Sequence, residues 1–192
     1  ATAFAMVVSD RLGIPMDRIT YRQSDTDLVP RGGGTGGSRS LQLGGSAVLA
    51  AADDVLAQAK RRAAELLEAA ESDVELTEAG EFAVAGVPGA SVTWAQVASA
   101  GPELTAGLDV QQDGATFPFG AHVAVVEVDT ETGRVRPRRM VAVDDCGRVL
   151  NPLLVEGQQH GGLAQGIAQA LYEEVLFDPE GQPLTSTLAD YR

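Results

Sequence analysis

The chain has 192 residues and a mass of 19.9 kDa, with 44% hydrophobic and 21% charged residues. This is the balance of an ordinary globular protein, long enough for one domain or two small ones and able to bury about 70% of its unfolded surface. Its 27 acidic residues outnumber 14 basic ones, for a net charge of −13 and a pI near 4.4. That field repels phosphate backbones and anionic headgroups, which argues against generic nucleic-acid binding and peripheral membrane binding. No apolar run approaches the ~18 residues of a membrane helix. A lone cysteine, Cys146, gives no intrachain disulfide and no sign of an oxidising compartment, so the expected location is cytoplasmic.

In chain order, residues 1–12 read as a helix, with Phe4, Val7, Val8 and Leu12 at helical spacing and Gly13 and Pro15 as the stop. Residues 19–23 alternate apolar and polar, the pattern of a half-buried strand. Residues 25–40 hold five glycines and almost no apolar side chains, hence a loop. A long Ala/Leu-rich helix is predicted over 41–70, with Leu49, Leu56, Ala63 and Leu67 on one face. Short strands are expected near 74–76 and 82–84, and Thr93 is placed to cap a helix over 94–100. Residues 101–117 read as a connector. The clearest β signal is a hairpin, 121–128 against 135–143, turning at Thr130-Glu131-Thr132-Gly133. A second long helix is predicted over 152–175, then a strand, turn and strand at 177–182. The sum is an α+β fold with mixed sheets packed with helices. Its sub-segments cover about 1–100 and 117–192, joined at 101–116. The apolar start, without a Met, and the uncapped end are read as cuts from something longer.

Two clusters have residue types that carry chemistry. The first runs from Gln23-Ser24-Asp25-Thr26-Asp27 into Gly32-Gly33-Gly34-Thr35-Gly36-Gly37-Ser38-Arg39-Ser40. Glycines leave backbone N–H groups open to an oxyanion, and a following helix start adds partial positive charge. Arg39 is suited to a bidentate anion contact, with Ser38 and Ser40 as hydroxyl donors. The loop ends in no Gly-Lys-Ser/Thr and is no G-x-G-x-x-G turn. A flexible surface loop is the alternative, and a basic residue at a helix start in so acidic a chain favours an anion site. The second cluster is Asp144-Asp145-Cys146-Gly147-Arg148, Asn151-Pro152, Gly157-Gln158-Gln159-His160-Gly161-Gly162 and Gln165-Gly166. It leaves a strand and opens a helix, where ligand-facing loops usually sit. Glutamines in a glycine-rich helix suggest amide contacts to a polar ligand; tight packing of that helix on a sheet is the alternative. His122, His160 and Cys146 lack metal-ligand spacing, and either histidine is read as an ordinary core or surface residue.

These clusters carry a resemblance. Gln23 to Pro30 with Gly34-Thr35-Gly36-Gly37-Ser38-Arg39-Ser40, and Val143 to Pro152 with Glu156-Gly157-Gln158-Gln159-His160-Gly161-Gly162 and Gln165-Gly166-Ile167, resemble the molybdenum hydroxylases. This is the family of xanthine dehydrogenase, aldehyde oxidase and the carbon-monoxide-dehydrogenase large subunit. The likeness covers essentially the whole chain and looks closest to the bacterial carbon-monoxide-dehydrogenase branch. Ser24 departs from it, since the family usually has Gly there.

The resemblance implies part of a two-lobed cofactor-binding domain and a molybdenum–molybdopterin cofactor, in the cytosine dinucleotide form. It also implies iron–sulfur clusters and FAD on partner subunits or domains, the remainder of a large subunit, and a small-molecule substrate with a C–H or CO-type reacting group. No nucleic acid and no integral membrane segment are implied. Gln23, Asp25 and Thr26 would approach the dinucleotide or its pterin. Ser38, Arg39 and Ser40 would meet pyrophosphate or pterin edges, and Cys146, Asn151 and Gln158 would form a second contacting loop. No residue of the chain matches the family's catalytic glutamate, expected in a Gly-x-Gly-Glu context beyond Asp190-Tyr191, so the chain alone is expected to be inactive. The other function class open to it is a stand-alone domain binding an anion, a nucleotide or a protein, without redox chemistry.

Overall fold

Helix α1 spans Thr2–Leu12 and ends where Gly13 turns left-handed (φ 63°), its N–H returning to the Ser9 carbonyl at 2.9 Å. Gly13 lies so close to the turn at Gly80 that a Cβ on Gly80 would stand 2.8 Å from the Gly13 carbonyl oxygen. The computed structural model describes residues 1–29, 31–111 and 114–190. Pro30 of the first motif, two residues of the predicted connector, and Tyr191 lie outside the described residues.

The chain divides into two units, residues 1–115 and 116–192. The first is built on α2 (Gly45–Leu67), entered through one wide π turn at Ser40–Gly44. Strands β1 (Val74–Leu76), β2 (Glu81–Val84) and β3 (Ser91–Thr93) form an antiparallel sheet in that order, pairing Val74 with Val84 and Phe82 with Val92. Helix α3 (Trp94–Ser99) begins with a reciprocal cap. Thr93 Oγ1 accepts from the Gln96 N–H at 3.3 Å, and Gln96 Oε1 accepts from the Thr93 N–H at 2.8 Å. The core joins Ala59, Ala63 and Ala64 of α2 to Val74, Phe82, Val92 and Val97. Phe82, fully buried, meets Trp94 edge-on at 4.8 Å, and the Trp94 indole N–H donates to the Leu12 carbonyl at 2.9 Å, tying α3 to α1.

The second unit holds a hairpin, β4 (Phe119–Val128) with β5 (Val135–Asp145), then α4 (Pro152–Leu171). The hairpin runs Phe119 opposite Asp145 to Val128 opposite Val135, with a bulge at Val125/Val126 that places Arg138 out of register. Its turn is closed by Asp129, whose Oδ1 accepts from the N–H groups of Glu131 and Thr132, and by Gly133 at φ 75°. Those bonds, from Thr132 first, hold the Asp129 carboxyl below its ordinary range. Among the described residues, every buried hydrophobic side chain belongs to the first unit.

The α+β class stands, with both sheets antiparallel throughout where a mix of directions is expected. Other expectations need correction. Residues 19–23 form no strand and pair with none among the described residues; Tyr21 instead stacks on Phe4 at 5.5 Å. The predicted 41–70 helix is regular only over Gly45–Leu67, since Glu68 turns left-handed (φ 51°). Its buried line is alanine (Ala52, Ala59, Ala63), while Leu49 is 44% exposed. Helix α4 stops at Leu171, and 177–182 contributes one isolated bridge, Phe177 to Pro183.

Truncating Phe82 removes the largest fully buried side chain of the core. Phe82→Ala is expected to cost about 3–5 kcal/mol. Urea unfolding followed by the fluorescence of Trp94 checks this; a loss below about 1 kcal/mol would show a core that closes over the gap.

Candidate cofactor-binding site

The first cluster is seated by a relay from the helices. Gly44, in the π turn, has no side chain to obstruct Phe4; a Cβ there would stand 3.2 Å from the Phe4 ring. Phe4 therefore lies against the start of α2 and stacks on Tyr21, whose hydroxyl donates to Gln23 Oε1 at 2.5 Å. Asp25 then turns the chain: its Oδ1 accepts from the Asp27 N–H at 3.0 Å and its carbonyl from the Val29 N–H at 2.8 Å. The Thr26 side chain makes no hydrogen bond among the described residues and is exposed.

The glycine loop is closed by its own polar groups. Arg39 Nη2 donates to the Gly33 carbonyl at 2.9 Å, and Ser40 Oγ to Thr35 Oγ1 at 2.9 Å. Ser38 and Ser24 both adopt left-handed backbone, φ 55° and 61°. Ser24 thus stands in a conformation that glycine adopts freely and L side chains resist, which accounts for the glycine of the family pattern. A Cβ on Gly32, Gly34, Gly36 or Gly37 would meet no atom within 4 Å, so the loop's backbone faces open space.

In the second unit Cys146 is exposed just past β5. Asn151 caps α4, its Oδ1 accepting from the Leu154 N–H at 3.2 Å, and Pro152 follows at the first helical position. Gln158 is exposed, and its amide makes no hydrogen bond among the described residues. Gly157, Gly161, Gly162 and Gly166 likewise have open space where a side chain would stand, so this stripe is not packed on the hairpin. Gln23, Asp25, Thr26, Ser38, Arg39 and Ser40 thus belong to the first unit, and Cys146, Asn151 and Gln158 to the second.

Sequence reasoning passed over one constellation. His122 Nε2 lies 2.8 Å from Asp144 Oδ1, and Gln159 Nε2 donates to Asp144 Oδ2 at 2.8 Å. These bonds, His122 first, hold the Asp144 carboxyl below its ordinary value. The signal lay in the hairpin register, since His122 is two residues along β4 from Gly120, the partner of Asp144. Among the described residues, no group of three or more His, Cys, Asp or Glu side chains is placed to hold a metal ion.

The donor set suits a pterin bearing phosphates. The Ser38 hydroxyl, the remaining N–H groups of Arg39 and the open loop backbone match phosphate oxygens, while the Ser40 hydroxyl proton is held by Thr35. In the first unit the Asp25 carboxylate and Gln23 amide, and in the second unit the Gln158 amide, are each of a kind that can pair with a pterin edge.

Glycine-rich, donor-lined loops on an α+β scaffold are suited to holding a polar cofactor. A family model of the molybdopterin cofactor-binding domain matches residues 1–192, and the chain belongs to that family. It is 37% identical over 199 aligned positions to the carbon monoxide dehydrogenase large chain of Afipia carboxidovorans, covering 99% of this chain and 24% of the relative. A crystal structure of the Cu,Mo-CO dehydrogenase in its carbon monoxide reduced state superposes with a TM-score of 0.88 at 36% identity, covering 100% of this chain and 25% of that one. Quinoline 2-oxidoreductase from Pseudomonas putida 86 gives a TM-score of 0.79 at 35% identity, covering 99% and 25%. The likeness to the molybdenum hydroxylases read from the two motifs is thereby confirmed. The chain spans about a quarter of the length of these relatives.

Two outcomes follow from the local geometry. Ser24→Gly is expected to be neutral or to stabilise by up to about 1 kcal/mol, and Ser24→Ile to destabilise by more than about 1 kcal/mol; paired denaturant melts compare them. Because the folded-state pKa of Asp144 is lowered, its contribution to stability is present above the unfolded value and lost as pH falls through the folded one. The side-chain carboxyl resonance of Asp144 should therefore titrate below that of an unpaired aspartate, and His122→Ala should move it upward.

Proposed function

We propose that residues 1–192 form a partial cofactor-binding domain of a molybdenum hydroxylase large subunit, with sub-segments at about 1–100 and 117–192 joined by 101–116. On this reading each of the two loop clusters contacts the molybdenum–molybdopterin cofactor, in its cytosine dinucleotide form. Gln23, Asp25 and Thr26 approach the dinucleotide or pterin, and Ser38, Arg39 and Ser40 meet pyrophosphate or pterin edges. Cys146, Asn151 and Gln158 supply a second contacting loop. When bound, the molybdenum centre would supply two-electron oxidation of a small substrate with a C–H or CO-type reacting group.

The observation that carries this reading is the Arg39 loop. One guanidinium nitrogen holds the Gly33 carbonyl and keeps the loop closed. The other guanidinium N–H groups and the open backbone of Gly34, Gly36 and Gly37 are left for an oxyanion. Pre-closed loops bind more tightly because less ordering remains to be done on binding. The protein's share of the chemistry is then to orient the cofactor, neutralise its phosphate charge and hold its pterin edges by amide and carboxylate hydrogen bonds.

Catalysis belongs, on this proposal, to a longer large subunit. That subunit supplies the catalytic glutamate, works with iron–sulfur and flavin partner subunits, and is cytoplasmic. The coverage, about a quarter of the Cu,Mo-CO dehydrogenase chain and of quinoline 2-oxidoreductase, supports the longer subunit; the glutamate, the partner subunits and the location rest on the family resemblance alone.

In the complete enzyme, Arg39→Ala is expected to lose a charge-assisted contact of about 1.5–3 kcal/mol, a roughly ten- to hundredfold drop in cofactor affinity. Molybdenum and pterin content after extensive desalting measures the loss, while melts of the cofactor-free proteins separate it from unfolding. Wild-type content in a folded Arg39→Ala enzyme would overturn the phosphate-loop assignment. Nucleotide released from the cofactor by phosphodiesterase should be CMP; its absence would reject the cytosine form.

A further inference from the structure

Helix α4 has no buried residue, so apolar packing does not set its direction against the hairpin. A side-chain tie from it to β5 is the bond from Gln159 to Asp144, which also holds His122 of β4. Asp144 can reach both because the residue opposite it is Gly120. A Cβ there would stand 2.5 Å from Asp144 Oδ1 and 3.0 Å from the Val143 carbonyl oxygen, so the carboxylate occupies the space that a side chain at 120 would fill. Asp144 thus uses one carboxylate oxygen for each partner, at 2.8 Å in both cases.

The segment between these anchors is residues 146–151. It leaves β5 beside Asp144 and enters α4 at the Asn151 cap, and Gln158 is next in sequence to the residue that Asp144 holds. We propose that Asp144, seated over Gly120, is the positioning residue of the second loop cluster, fixing α4 and so the placement of Cys146, Asn151 and Gln158. The inference rests on the reading that this cluster contacts the cofactor. Asp144 itself acts through Gln159 and His122, by geometry.

The test uses the full-length large subunit with its partner subunits, and two readouts. One is hydrogen exchange over residues 146–160 in cofactor-free protein; the other is molybdenum and pterin content of the purified enzyme. Asp144→Ala should exchange about tenfold faster in that segment, with the core around Phe82 unchanged, and retain less cofactor. Asp144→Asn should restore most of both, because its carbonyl can accept from Gln159 while its amide donates to a neutral His122. Gly120→Ala, which leaves Asp144 in place but fills its seat, should reproduce the Asp144→Ala phenotype.

Unchanged exchange in Asp144→Ala overturns the proposal. So does faster exchange with wild-type cofactor content, when Gln158→Ala loses cofactor: the cluster then binds, and Asp144 does not position it. Wild-type content in both Gln158→Ala and Cys146→Ala would instead overturn the underlying reading of the second loop.

Discussion

Close approach to α2 is the constraint on which the first unit depends. Its inward line is Ala52, Ala59 and Ala63, with Leu56 and Leu67 half-buried beside it. Small side chains let α1, the three-stranded sheet and α3 come near the helix axis, and Phe82 and Val97 then fill the space between. Gly44 extends the same logic to the residue just before the helix, where the neighbour admitted is the Phe4 ring. From that ring the order passes by stacking to Tyr21 and by hydrogen bond to Gln23. A loop almost without apolar residues is thereby placed by the packing of small ones.

The two units solve the same problem by different means. In the first, a hydrophobic cluster sets the frame and polar closure shapes the loop. In the second, order comes from the hairpin ladder, the Asn151 cap and the bonds converging on Asp144. Hydrogen bonds to an exposed carboxylate are individually modest. Geometry of this kind is therefore more easily shifted than a packed core.

Much of this was legible in the sequence where a local rule has a single outcome. Gly13 and Pro15 ended α1 at Leu12, Thr93 capped α3, and alternation around Thr130–Gly133 placed the hairpin. The failures share a cause. Residues 19–23 have strand-like alternation, but a strand needs a partner, and only tertiary structure shows that Tyr21 has a ring to stack on instead. Periodicity marked Leu49 as buried because leucine is more hydrophobic than alanine, whereas close helix packing selected the alanines. The two motifs were visible as residue types, and the loop-closing role of Arg39 was not, since it depends on a carbonyl six positions back. His122 was passed over because its partner lies across the hairpin rather than nearby in sequence.

The hairpin's edges are unequally defended. In the two-stranded sheet both β4 and β5 have one unpaired row of backbone groups, a template for another chain. Strand β5 is guarded by Arg136 and Arg139 and by Pro137, which has no N–H to offer. Strand β4 runs Val123, Ala124, Val125, Val126 with Glu127 as its one acidic residue, and Glu127 is already paired with Arg138. Aggregation of the isolated chain would therefore start at β4, and the arginine guard on β5 would weaken as salt screens it. For handling this chain, the choice of buffer is a choice of which strand is left sticky.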